Sequence, residues 1–150
     1  MNRYRASRIF IFVISLCGLA GVCVLKAYCL DKGINCAIQQ GPCMQDVGEG
    51  LRVLFEVDPR PVKAMNDLKF IITLTRSDIP VTDAAVVLDL SMPGMYMGRN
   101  RPALTHVKDG RYEGKGVITR CMSGNKTWKA DISVKRQMAT DNASFVFEVQ

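Results

Sequence analysis

The sequence predicts an all-β protein, an immunoglobulin-like seven-stranded β-sandwich preceded by one N-terminal transmembrane helix. Three observations lead there. Between residues 51 and 150, short stretches alternate apolar and polar side chains with the period of a half-buried strand. Turn residues separate those stretches at regular spacing, and nothing of comparable length there has helical spacing. At the other end of the chain, an apolar run follows a basic start.

That start defines the first of three regions, residues 1–30. Arg3, Arg5 and Arg8 precede residues 9–25, in which Ser15 is the only polar side chain. Seventeen helical residues span about 25 Å, close to the ~30 Å hydrocarbon core, so the run suits an export signal that stays as an anchor. Small residues occur at Gly18, Ala20, Gly21 and Ala27, yet no clean A-x-A cleavage site stands out. Residues 9–30 would then sit in a membrane as a single pass. The arginines stay cytoplasmic and the C-terminal domain is extracytoplasmic.

Residues 31–50 read as a cysteine-containing linker, with Gly33, Gly41, Pro42, Gly48 and Gly50 and no sustained period. Residues 51–150 form the sandwich. Leu51, Val53, Phe55 and Val57 face inward until Asp58-Pro59-Arg60-Pro61 stops the strand. Val62-Lys63-Ala64-Met65 offers at most one helical turn after Pro61. Leu68, Phe70, Ile72 and Leu74 make the second inward set, ended by Asp78-Ile79-Pro80. Val86, Leu88 and Leu90 make the third, and Met92 continues their parity. Residues 103–108 form a short strand closed by Asp109-Gly110, a strong hairpin signal. Residues 111–118 resume the sheet. Trp128, Ala130, Ile132 and Val134 share one face of the sixth strand, and Phe145, Phe147 and Val149 belong to the last.

The formal charge of +6 invites a nucleic-acid reading that its distribution removes. Four of the 20 basic residues and none of the 14 acidic ones lie in residues 1–30, so residues 31–150 carry a formal +2. The remaining cations alternate with acids and form no run with stacking aromatics, so no nucleic-acid partner is expected. Cysteines divide in the same way. Cys36, Cys43 and Cys121 fall in the exported part, where disulfides are permitted. Cys36 and Cys43 flank a Gly41-Pro42 turn and are the first choice for a bridge. Cys121 is left to pair with Cys29, to remain a buried thiol or to act as a soft ligand.

No enzyme is expected. His106 is the one histidine, and no G-x-S-x-G, Walker sequence, dinucleotide fingerprint or C-x-x-C occurs. The sharpest feature is Ser91-Met92-Pro93-Gly94-Met95-Tyr96-Met97-Gly98, with three methionines within six residues. Thioethers and thiolates select soft ions such as Cu(I), and a thioether binds without releasing a proton. Pro93-Gly94 favours a turn that folds two thioethers toward each other. Met92, Met95 and Met97 are therefore candidate metal ligands, with His106 and Cys121 in support. The competing reading is a flexible apolar surface, since methionine also fills cores and adaptable interfaces.

The series V-V-L-D-L-S-M-P-G-M-Y-M-G, D-G-R-Y-E-G-K-G-V-I, T-W-K-A-D-I-S-V and F-V-F-E-V resembles the YtkA-like domain, which is related to the FixH group. The resemblance covers roughly residues 51–150. It implies one N-terminal segment in a bacterial inner membrane and a small extracytoplasmic, periplasmic immunoglobulin-like domain, linked in some relatives to copper supply or cytochrome oxidase assembly. Met92, Met95 and Met97 match the proposed metal position. Many relatives place a histidine soon after the methionines, where this chain has Gly98-Arg99-Asn100-Arg101. The Cys36–Cys43 element looks like an addition of a subgroup. The function expected is binding or delivery of Cu(I) to a membrane-bound acceptor or oxidase assembly partner. The alternative is a metal-free interaction module that docks through the Met/Tyr loop on another envelope protein.

Overall fold

A computed structural model describes residues 33–150. The expected transmembrane segment lies outside the described residues. Among those described, no helix forms and nine strands do: β1 (Cys43–Val47), β2 (Leu51–Asp58), β3 (Asp67–Arg76), β4 (Ile79–Pro80), β5 (Ala85–Ser91), β6 (Thr105–Lys108), β7 (Arg111–Val117), β8 (Thr127–Arg136) and β9 (Ala139–Glu148). One sheet runs β1-β2-β3-β7-β6, with β4 paired to β3, and the other runs β5-β8-β9. Every pairing is antiparallel.

The period-2 pattern places the core as expected. Val53, Phe55, Val57, Phe70, Ile72 and Leu74 from the first sheet are fully buried against Leu88, Leu90, Trp128, Ala130 and Phe147 from the second. Phe55 stacks on Phe145 with centroids 5.4 Å apart and tilts against Phe147 at 5.9 Å, so its ring joins the two layers. Ile71 points the other way on β3, yet it too is buried. Its cross-strand neighbours are Glu56 and Glu113, whose carboxylates pair with Arg60 and with Lys69 and Arg111. The Arg111 guanidinium bonded to Glu113 holds that carboxyl below the ordinary carboxylate range, against the opposing pull of burial.

The segment read as a linker is part of the sandwich. Cys36 and Ile38 are buried in the core, and β1 pairs with β2 from Cys43↔Phe55 to Val47↔Leu51. The Cys36–Cys43 disulfide is formed, with Cα atoms 5.5 Å apart. Just before β1, Asn35 brackets β9: its side chain donates to the Ser144 carbonyl and accepts from the Val146 amide. Gln39 accepts from the Val62 amide and donates to the Val62 and Glu148 carbonyls. These bonds explain why Val62-Lys63-Ala64-Met65 makes no helical turn. The Gln150 amide also donates to Val62 and the Ala64 amide to Gln150, so the segment's backbone is taken up by its neighbours.

The β6–β7 hairpin is the one Asp109-Gly110 predicts. Both residues have positive φ, 48° and 70°, as a type I′ turn requires. A Cβ at Gly110 would land on the Leu74 carbonyl oxygen and 3.0 Å from the Val81 amide nitrogen, both backbone atoms. Gly110→Ala is therefore expected to cost at least about 2 kcal/mol, from the left-handed conformation and the overlap together. Gly94 also has positive φ, 75°, but nothing lies within 4 Å of its Cβ position. Gly94→Ala should lose only about 1 kcal/mol. Urea midpoints of the two variants check this; equal losses would refute it.

Candidate functional site: a thiol–thioether pair at one end of the sandwich

The methionine loop leaves β5 at Ser91 and turns at once. The Met95 amide donates to the Met92 carbonyl at 3.1 Å, with Pro93 and the left-handed Gly94 at the corners, the pattern of a type II turn. The turn separates the methionines by environment. Met92 is 2 % exposed and completes the inward row of Leu88 and Leu90. Met97 is half-buried against the same core, whereas Met95 is 39 % exposed. Farther along, the Leu90 amide donates to the Asn100 carbonyl and the Asn100 side chain donates to the Val117 carbonyl. This pins the loop beside the exit of β7.

Cys121 comes from the connection that follows β7 and is a buried free thiol. Its Sγ lies 3.5 Å from Met95 Sδ and 2.9 Å from Ser123 Oγ. A thioether has no proton to give, so the thiol donates to Met95 and the Ser123 hydroxyl donates to the thiol. The Cys121 carbonyl accepts from the Gly124 amide, which curls residues 121–124 back on themselves. The pKa of Cys121 is lowered chiefly by the Ser123 hydroxyl, helped by the backbone amides of Ser123 and Asn125, while burial opposes the shift. The sulfur is thus prepared to carry negative charge.

Of the five candidate ligands, the fold brings together Met95 and Cys121. Met92 and Met97 share their loop, but both pack on the core. His106 is placed elsewhere. It sits on β6 opposite Tyr112, their rings 5.1 Å apart, near the start of β7. The methionine loop is fastened near Val117 at the other end of that strand, five residues or about 17 Å away. Sequence reasoning missed Ser123; the Ser123-Gly124 turn two residues beyond the cysteine was its only signal.

Among the described residues, no three His, Cys, Asp or Glu side chains gather into a metal-holding group. The pair fits a soft ion: metal–sulfur bonds near 2.3 Å place two tetrahedral sulfurs about 3.8 Å apart, close to the 3.5 Å seen. Of the two nearby arginines, Arg101 is neutralised by Asp89 at 2.7 Å, while Arg99 points to solvent.

An all-β, two-sheet domain with a Met-Pro-Gly-Met turn against a thiol is the class of protein defined here. A family model described as YtkA-like matches residues 46–125, and the chain belongs to that family. The match includes the methionine turn and Cys121 and stops short of β8 and β9. No curated protein and no solved structure matches the chain.

Proposed function

We propose that this is a membrane-anchored, extracytoplasmic, non-enzymatic protein that binds Cu(I) and passes it to a membrane-bound acceptor in respiratory oxidase assembly. The sandwich is read as immunoglobulin-like, with β1 and β4 added to seven strands. One observation carries the functional reading: Met95 Sδ and Cys121 Sγ, from loops 26 residues apart in sequence, meet at 3.5 Å. Two soft donors at a loop surface, one half-exposed, suit an ion that is held and then exchanged. Met92 and Met97 serve the site by fixing the loop to the core, and His106 takes no part.

Anaerobic Cu(I) competition titration of the full chain tests this. One ion per chain is expected. Met95→Leu should weaken binding at least about tenfold and Cys121→Ser about a hundredfold, the range that even outer-shell partners reach. Met92→Leu, a swap of similar volume inside the core, should leave affinity nearly unchanged. If Met95→Leu/Cys121→Ser bound Cu(I) like the wild type, the site would be lost. The second reading, metal-free docking through the loop, would then stand on Tyr96, whose side chain is 93 % exposed.

A further inference from the structure

The loops at the two ends of the sandwich differ in charge. Three connections converge at the methionine end: residues 59–66, 92–104 and 118–126. Their convergence is fixed by the Met65 amide on the Ile118 carbonyl, by Asn100 on Val117 and by the Met95–Cys121 contact. Together they contain six cations (Arg60, Lys63, Arg99, Arg101, Arg120 and Lys126) and no acid. The connections at the other end, residues 48–50, 77–78, 81–84, 109–110 and 137–138, contain Glu49, Asp78, Asp83 and Asp109 and no base, with Asp78 and Asp83 bonded to Arg52 and Arg136. Arg60 and Arg101 are bonded to Glu56 and Asp89. Lys63, Arg99, Arg120 and Lys126 are exposed and make no ion pair among the described residues. Asp58, Asp67 and Glu148 lie at strand ends and not in these loops.

The same loops carry exposed apolar side chains. Met65 is 62 % exposed, Tyr96 93 % and Met122 fully, with half-exposed Met95 between. They stand on separate turns among the four free cations. A protein partner gains affinity where a contiguous, shape-matched patch is desolvated. Separate apolar tips ringed by lysine and arginine need no fixed shape opposite them. They suit a fluid surface that takes up thioethers and a phenol while its phosphates meet the cations.

We propose that this end of the domain docks on an anionic lipid bilayer, with the Met/Tyr tips in the headgroup region and the opposite end turned away. The proposal does not depend on copper; the titration above and the experiment below can fail separately.

The test is amide hydrogen exchange of the full chain in nanodiscs of phosphatidylcholine, with and without phosphatidylglycerol. Amides of residues 94–99 and 119–125 are expected to exchange at least about fivefold more slowly when phosphatidylglycerol is present, the factor that ~1 kcal/mol per surface cation gives. Salt that shortens the Debye length from about 10 Å to about 3 Å should abolish the slowing. Replacing Lys63, Arg99, Arg120 and Lys126 together by glutamate should abolish it too, with exchange in β3 and β8 unchanged as the check on folding. Equal exchange in both lipids overturns the proposal, whether fast or slow. Loops that ignore lipid but are slowed by added polyglutamate overturn it in favour of an acidic protein face.

Discussion

Phe55→Ala is expected to destabilise the domain by about 3–5 kcal/mol, a fall of roughly 10–20 °C in Tm for a unit of this size. Phe55 has no exposed surface and lies in the middle of β2, a strand paired on both sides. Its ring is the first-sheet partner of both Phe145 and Phe147 on β9. Truncation removes those contacts and opens a cavity whose walls are side chains on hydrogen-bonded strands, so the site collapses poorly. Val87→Ala is the control: Val87 is 45 % exposed on β5 and should change stability by less than about 0.5 kcal/mol. Urea unfolding followed through Trp128, itself buried in the core, reads both. A loss below about 1.5 kcal/mol for Phe55→Ala would mean that the aromatic contact does not hold the sheets together.

Phe55 also shows why so much of the fold was legible. Where one sheet face is buried, alternation fixes which residues point inward; β2 and β5 follow it throughout, and β3 and β8 follow it except at the buried Ile71 and Thr127. What lacked that signal was missed. β1 is five residues, Cys43-Met44-Gln45-Asp46-Val47, placed by its pairing with β2 and by the disulfide rather than by an apolar row. The first half of β9, Ala139–Ser144, is small and polar, yet it continues the register with β8 back to Ala139↔Arg136. Tertiary pairing overrides weak strand propensity there.

The site was legible in its parts and not in its assembly. The Met92-Pro93-Gly94-Met95 turn could be read from residue types, and Met92's burial from its parity with Leu88 and Leu90. That Cys121 meets Met95 while His106 does not depends on where two loops leave their strands, which no local pattern encodes. The charge asymmetry was hidden for a related reason. Apart from residues 77–78 and 81–84, which flank the two-residue β4 at one end, successive loops alternate between the ends of the sandwich, so segregated charges look interspersed along the chain.

Cu(I) affinity is expected to fall about tenfold for each pH unit of acidification below the Cys121 pKa, and to flatten above it. The sign follows from the proton count. Below its pKa the thiol holds one proton that must leave before the sulfur acts as a thiolate ligand, so acid competes with the ion. The Ser123 hydroxyl, with the amides of Ser123 and Asn125, lowers that pKa, which brings the plateau toward neutral pH. Ser123→Ala removes the largest of these effects and should move the break in the profile to higher pH, with weaker binding at neutral pH. A thioether has no such proton. Binding that remains in Cys121→Ser should accordingly be weak and independent of pH until carboxylates titrate. Cu(I) competition at a series of pH values, with Ser123→Ala and Cys121→Ser alongside, separates the two sulfurs. A pH-independent wild type would exclude the thiolate and leave the methionines alone as ligands. A break at the same pH in Ser123→Ala would show that the hydroxyl at 2.9 Å does not tune the sulfur.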